Sequence, residues 1–227
     1  MPTQGPALLN DDGTASMATA FLTSHHGFRR DIRQFAGALG RMLGGNTANA
    51  AALSEEWKHY RETLHGHHQM EDTALFPGLK QHHPELATVI DGLVEDHRKI
   101  DPLLEEGDRA FAELAAQVRP AVRVVGSLGG LLHSHLETEE KHIVPFIREA
   151  KGFPPPANEA ELEMYAQGFA WSSHGIAEDI VQKIYELLTP ELRAKMPAAR
   201  AAFAERCKKV WGTAAAGGSR TPIPDWL

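Results

Sequence analysis

The segment His67-His68-Gln69-Met70-Glu71-Asp72-Thr73-Ala74-Leu75-Phe76-Pro77 shares its pattern with a second segment, His135–Pro145. Aligned without gaps, both give a histidine, three residues, a glutamate, a second acid, four residues and a proline. Positions i and i+4 of a helix lie on one face, so each segment projects an imidazole beside a carboxylate. Two such helices facing each other would bring two histidines and two glutamates to one place.

The rest of the chain predicts the helices that would carry these segments. Apolar residues with three-and-four spacing predict four amphipathic helices, beginning near Ser16, Ser54, Pro84 and Arg119. The second should kink or end near Pro77. Four amphipathic helices with short connections predict an all-α fold, an up-down-up-down four-helix bundle over residues 16–150.

Four further segments flank this bundle. Residues 1–15 are rich in Pro, Gly, Asn and Asp and are predicted to form a disordered arm. Residues 151–158 form a Pro-rich linker. Residues 159–211 are predicted to form C-terminal helices, the first of them continuous to Leu188, that pack on the bundle because they have too few apolar residues to fold alone. Residues 212–227 are expected to form a flexible tail.

Composition excludes several classes of protein. The net charge is −7 and no dense Lys/Arg block occurs, which argues against nucleic-acid binding. A single cysteine, Cys207, excludes an intrachain disulfide framework. No basic leader and no apolar run of membrane-spanning length is present, so we expect a soluble, cytoplasmic protein without a membrane partner.

The inward faces of the four predicted helices carry an unusual set of side chains. Each has a histidine, and the second and fourth also have a glutamate; the set is His25, His67, His97, His135, Glu71 and Glu139. Imidazole and carboxylate without thiolate disfavour a structural zinc site. Six ligands are too many for one open ion and suit two, as in the di-iron sites of helical bundles.

One His-x-x-x-Glu pair is weak evidence, because most such pairs are solvated contacts on a helix surface. Two copies with the same downstream acid and proline, together with two more inward histidines, are much less expected by chance. His68 lies one position away from the inward face, and we expect it to be exposed or to contact a ligand residue indirectly.

These residues resemble the hemerythrin-like (HHE cation-binding) family. The resemblance lies in His25–Arg29, His67–Pro77, Glu95–His97 and His135–Pro145, and it covers about Ser16–Ala150. It implies a four-helix bundle with two non-haem iron ions, oxo- or hydroxo-bridged, and with the carboxylates of Glu71 and Glu139 as further bridges.

The chain departs from the family pattern at one position. Oxygen-carrying hemerythrins have a second histidine one turn after the third-helix histidine, where this chain has Asp101 followed by Pro102. It is therefore more similar to branches associated with peroxide, nitric oxide or iron–sulfur repair. His174, in the C-terminal region, could supply a fifth imidazole, although a core or interface histidine is the plainer interpretation. Whether His174 or Asp101 binds metal is left open.

We therefore expect a di-iron protein that reacts with or binds a small diatomic ligand or peroxide, with peroxide dismutation by a catalase-like oxidoreductase favoured. The alternatives are an O2, NO or iron sensor or carrier without turnover, and a protein for iron storage or delivery. The sequence indicates no particular protein partner or redox partner.

Overall fold

The computed structural model describes residues 7–46, 48–148 and 155–212. No strand occurs in these ranges, which confirms the all-α class, a helical bundle with additional C-terminal helices. The helices are α1 (Met17–Leu43), α2 (Ala50–Met70), α3 (Phe76–His82), α4 (Ala87–Ala112), α5 (Arg119–His142), α6 (Val144–Ile147), α7 (Glu159–Ser172), α8 (Glu178–Tyr185) and α9 (Pro190–Trp211). A π-helical turn, Glu71–Leu75, joins α2 to α3, and a short 3₁₀ helix, Pro84–Leu86, precedes α4.

The chain divides into two compact units, and the boundary falls inside α1. Phe28–His142 forms the central unit, which contains the second part of α1 together with α2 to α5. The described residues up to Gly27 and from Ile143 onward form the terminal unit, which contains the first part of α1 and α6 to α9. Among the described residues, no helix is long and apolar enough to span a membrane.

The four long helices of the central unit are the four that the apolar spacing predicts. Aromatic rings from three of them form one end of its core: Trp57 of α2 stacks on Phe111 of α4 with ring centroids 4.5 Å apart, and Phe35 of α1 meets both rings edge-on. The Trp57 indole N–H donates a hydrogen bond of 3.0 Å to Asp108. These contacts fix the spacing of α1, α2 and α4.

A glycine makes room for this aromatic cluster. A Cβ atom at Gly107 of α4 would lie 2.0 Å from Cζ2 of Trp57. The indole has little freedom to move away, because it is stacked on Phe111 and hydrogen-bonded to Asp108. Close approach of two helices is therefore the reason for glycine at this position.

Gly107→Ala is expected to lower the free energy of unfolding, because the added methyl group overpacks the core. Gly92→Ala is the matched control, since Gly92 is exposed on the same helix and nothing lies within 4 Å of its added Cβ. Both variants gain the same helix propensity, so urea titration of the pair should isolate an overpacking cost of about 1–3 kcal/mol. Equal stabilities of the two variants would contradict this packing.

The terminal unit has its own close contacts. A Cβ atom at Gly27 would lie 2.6 Å from the Trp171 ring of α7, and Nε2 of His26 donates a hydrogen bond of 3.1 Å to the His174 carbonyl oxygen. The first part of α1 therefore packs directly against α7 and the turn that follows it.

Residues 7–15, for which the sequence predicts a disordered arm, make specific contacts in this unit. Leu8 is buried, and its carbonyl oxygen accepts a hydrogen bond of 2.7 Å from the Thr19 hydroxyl. The Arg148 guanidinium donates a hydrogen bond of 2.7 Å to the Ala7 carbonyl oxygen. Residues 1–6, most of the predicted linker and nearly all of the predicted tail lie outside the described residues.

The prediction of one helix from Glu159 to Leu188 is wrong. α7 ends at Ser172 and α8 begins at Glu178, because Gly175 takes a positive φ of 88° that a helix cannot accommodate. The chain runs as a single helix, α9, through Pro197. α9 begins with Thr189 as N-cap, whose hydroxyl accepts a hydrogen bond from the Leu192 N–H.

Candidate metal centre

Glu71 lies where α2 changes from α-helical to π-helical hydrogen bonding. Its backbone N–H is shared between the carbonyl oxygens of His67 and His68, and its own carbonyl oxygen accepts from the N–H of Phe76, five residues on. A π-helical turn adds a residue to the helix and is frequent at functional sites. The backbone is therefore irregular at the residue that the sequence places at the centre of the site.

One donor group is formed by His68, Glu71, His97 and His135, all of them buried. One ligand atom from each lies within 4.8 Å of the ligand atoms of the others. Nε2 of His97 is 3.3 Å from Nε2 of His135 and 3.5 Å from Oε2 of Glu71. Helices α2, α4 and α5 and the π-helical turn thus direct three imidazoles and one carboxylate to a common point.

A second donor group contains His67, Glu71 and Glu139, again with ligand atoms within 4.8 Å of one another. Nε2 of His67 is 3.0 Å from Oε1 of Glu71, and Oε1 of Glu139 is 3.5 Å from Nε2 of His135. Glu71 belongs to both groups: Oε1 faces His67 and Oε2 faces His97. A carboxylate with this placement can bridge two cations.

These separations fit ligands of a bound metal ion. Two ligand atoms each about 2.1 Å from one ion lie about 3.0 Å apart at a right angle and about 3.4 Å apart at a tetrahedral angle. The four distances above, from 3.0 to 3.5 Å, fall in that range or just beyond it. Imidazole nitrogen and carboxylate oxygen are the ligands that iron, manganese and zinc accept in proteins.

The charge states of the cluster also fit a cation. Burial and then the neighbouring His97 together lower the pKa of His68 to about 2, so this imidazole is neutral, as a metal ligand must be. Burial acts to raise the pKa of Glu71, but His67 and His97 outweigh it and hold the pKa well below its usual range. Glu71 is therefore ionised although it is completely buried.

Asp72 orients one of the imidazoles. Its Oδ1 accepts a hydrogen bond of 3.0 Å from Nδ1 of His97, which leaves Nε2 facing Glu71 and His135. Burial acts to lower the pKa of His97, but hydrogen bonds with Glu71 and Asp72 outweigh it and raise the pKa. A carboxylate that holds a ligand imidazole in this way fixes its tautomer and increases its basicity.

Glu140, which follows Glu139, is fixed by a buried ion pair. Nη1 of Arg29 donates to Oε1 of Glu140, and Nη2 donates to Oε2 over 3.2 Å. Both side chains are at least nine-tenths buried. This bidentate pair ties α1 to α5 within the central unit, one residue away from a carboxylate of the donor group.

The structure brings together five of the sequence-predicted ligands, all in the central unit: His67, Glu71, His97, His135 and Glu139. The other two lie in the terminal unit. His25 is buried with its ring centroid 4.4 Å from that of Phe21, and the His174 ring meets Phe203 edge-on at 5.2 Å. Their part in metal binding stays a prediction from the sequence.

Two residues beside the predicted ligands, His68 and Asp101, have different surroundings. His68 is 3% exposed and belongs to the first donor group, so of the two alternatives given for it, the exposed position is wrong. Residues i−3 and i−4 of a helix both neighbour residue i, and this spacing could have identified His68 as well as His67. Asp101, considered as a ligand, is half exposed, and Oδ1 lies 3.7 Å from Nδ1 of the equally exposed His65.

Comparison with known proteins gives one finding. The family model described as the hemerythrin HHE cation binding domain matches residues 16–147, which is more than half of the chain. No curated protein and no solved structure gives a significant match. The matched range begins one residue before α1 and ends at the last residue of α6, and it contains both donor groups.

Proposed function

This chain belongs to the hemerythrin HHE cation-binding domain family, and we propose that its buried histidine–glutamate cluster holds two iron ions that react with or bind a small oxidant. The observation that carries this proposal is the position of Glu71, shared by two donor groups with one oxygen toward each. Carboxylates are hard donors that suit iron, and a shared carboxylate holds two ions close together.

The proposed ligand set extends beyond the residues that meet in the central unit. Glu71 and Glu139 are proposed as bridges, and the imidazoles are His67, His97 and His135. His25 joins them on its helical spacing and its burial, and His174 only on its sequence context. The absence of thiolate from both donor groups in the described chain supports iron over a structural zinc site.

Bound iron would supply electrons and Lewis acidity, with an oxo or hydroxo bridge between the ions. The side chains would hold the ions in place and separate them from bulk water. Phe28 and Phe76 are buried, with ring centroids 5.1 Å from His67 and 5.9 Å from His97, so apolar rings flank the ligands and exclude bulk water. A site enclosed in this way favours small reactants such as peroxide, O2 or NO.

Peroxide dismutation is the favoured reaction. It converts two molecules of hydrogen peroxide into two of water and one of O2, so it needs no external electron donor. The catalase-like activity, the cytoplasmic location and the lack of a nucleic-acid partner are proposals that rest on resemblance and composition.

The reaction can be tested on purified full-length protein loaded with Fe(II) without oxygen. After peroxide is added, we expect an oxygen electrode to record one O2 for every two peroxides consumed, over many turnovers. A reversible change in the visible spectrum without O2 release would indicate a sensor or carrier instead. Ready loss of iron to a weak chelator, again without turnover, would indicate storage or delivery.

A further inference from the structure

We propose that His68 is the fifth imidazole ligand of this centre and completes a three-histidine half-site with His97 and His135 beside Glu71. The inference rests on the proposed function for the presence of the ions, and it assigns to His68 the role that the sequence suggested for His174. It also makes the two halves of the centre chemically different.

The position of the His68 ring is the first support. The ring stacks on that of His97 with centroids 4.0 Å apart and an interplanar angle of 15°, and its centroid lies 5.4 Å from that of His135. One of its nitrogens lies within 4.8 Å of the ligand atoms of Glu71, His97 and His135. His68 therefore faces the same point as three residues that the sequence already identifies as ligands.

The second support is that the His68 ring is buried without a hydrogen bond to the described residues. His68 is 3% exposed, and within the described residues neither ring nitrogen has a hydrogen-bond partner. A buried polar group without a partner is costly, and native structures rarely keep one without a reason. A cation at this point would provide the missing interaction, because an imidazole nitrogen binds a metal ion through its lone pair.

The local backbone explains how adjacent residues can serve both donor groups. The N–H of Glu71 is shared between the carbonyl oxygens of His67 and His68, so both residues lie one turn before it. Their side chains leave the helix about 100° apart, on either side of the Glu71 carboxylate. His67 meets Oε1 of Glu71, and His68 belongs to the group that Oε2 faces.

The two halves then differ in their donors. One has the imidazoles of His68, His97 and His135, and the other has His67, to which the proposed ligand set adds His25; Glu71 and Glu139 are the proposed bridges between the two. Imidazole suits late divalent metals, and carboxylate suits harder ions. Removal of His68 should therefore weaken the binding of one ion and leave the binding of the other unchanged.

The test compares wild type with His68→Leu and with His65→Leu, a control on the same helix whose side chain is half exposed. Each full-length chain is titrated with Fe(II) without oxygen, and bound iron is measured by mass spectrometry. We expect about two irons in wild type and the control, and in His68→Leu one site weakened at least about tenfold. The metal-free melting temperature of His68→Leu should be unchanged or higher, because a buried polar group without a partner is replaced by an apolar one.

Several results would overturn the inference. One is that His68→Leu binds two irons with wild-type affinity. Another is that metal-free His68→Leu melts well below metal-free wild type, which would indicate that His68 has a packing role. His68→Gln serves as a second variant if leucine prevents folding, and it should show the same loss of one site. Loss of that site in His174→Ala, with His68→Leu unaffected, would assign the fifth imidazole to His174. A wild-type chain that takes up no iron would refute the proposed function itself.

Discussion

Glu71→Gln is expected to reduce iron binding from about two ions per chain to less than one, because both donor groups lose the same charged ligand. Glutamine keeps the shape of the side chain but cannot bridge two cations as an anion. Bound metal stabilises only the folded state, by about 4 kcal/mol at a thousandfold excess over the dissociation constant. The variant should therefore lose most of the rise in melting temperature that iron gives the wild type.

Glu62→Gln is the matched control, since Glu62 lies on α2 in an exposed position. It should bind iron and melt as wild type does, both with and without iron. Bound iron can be measured by mass spectrometry after desalting, and melting by circular dichroism. Glu71→Gln with two tightly bound irons would show that the shared carboxylate does not hold the ions.

Arg29→Met is expected to cost about 3–5 kcal/mol of unfolding free energy, because it leaves the buried Glu140 carboxylate without its bidentate partner. Replacing both residues, as Arg29→Met with Glu140→Met, should recover most of this loss, since no charge then stays buried alone. Urea denaturation of the single and double variants measures the difference. The single variant should also bind iron less tightly, because Glu140 adjoins Glu139.

The exposed ion pair between Lys58 and Glu55 provides the comparison for this prediction. Lys58→Met should leave stability unchanged within error, because solvent screens surface pairs. An Arg29→Met variant as stable as Lys58→Met would mean that the Arg29–Glu140 pair does not clamp α1 to α5.

The ligand spacing could be predicted from the sequence because it is local. His67 and Glu71, like His135 and Glu139, are separated by one helical turn, and helical periodicity alone places them together. The starts of α1 and α5 were predictable for a similar reason, because apolar spacing indicates helices that begin near Ser16 and Arg119.

What the sequence could not provide depends on backbone geometry and long-range contact. The π-helical turn at Glu71–Leu75 follows no recognisable residue pattern, so it could not be predicted from the sequence. Asp72 gains its role only because α4 brings His97 within 3.0 Å of it. The need for glycine at position 107 follows from the position of the Trp57 ring against it, which the sequence does not show.

The most direct test of the central claim is the iron content of the full-length chain after anaerobic loading with Fe(II) and desalting, together with a visible spectrum on exposure to air. A centre built on Glu71 predicts about two irons per chain and a near-ultraviolet band typical of an oxo bridge between two ferric ions. Fewer than one iron per chain, with no change in the spectrum, would contradict it.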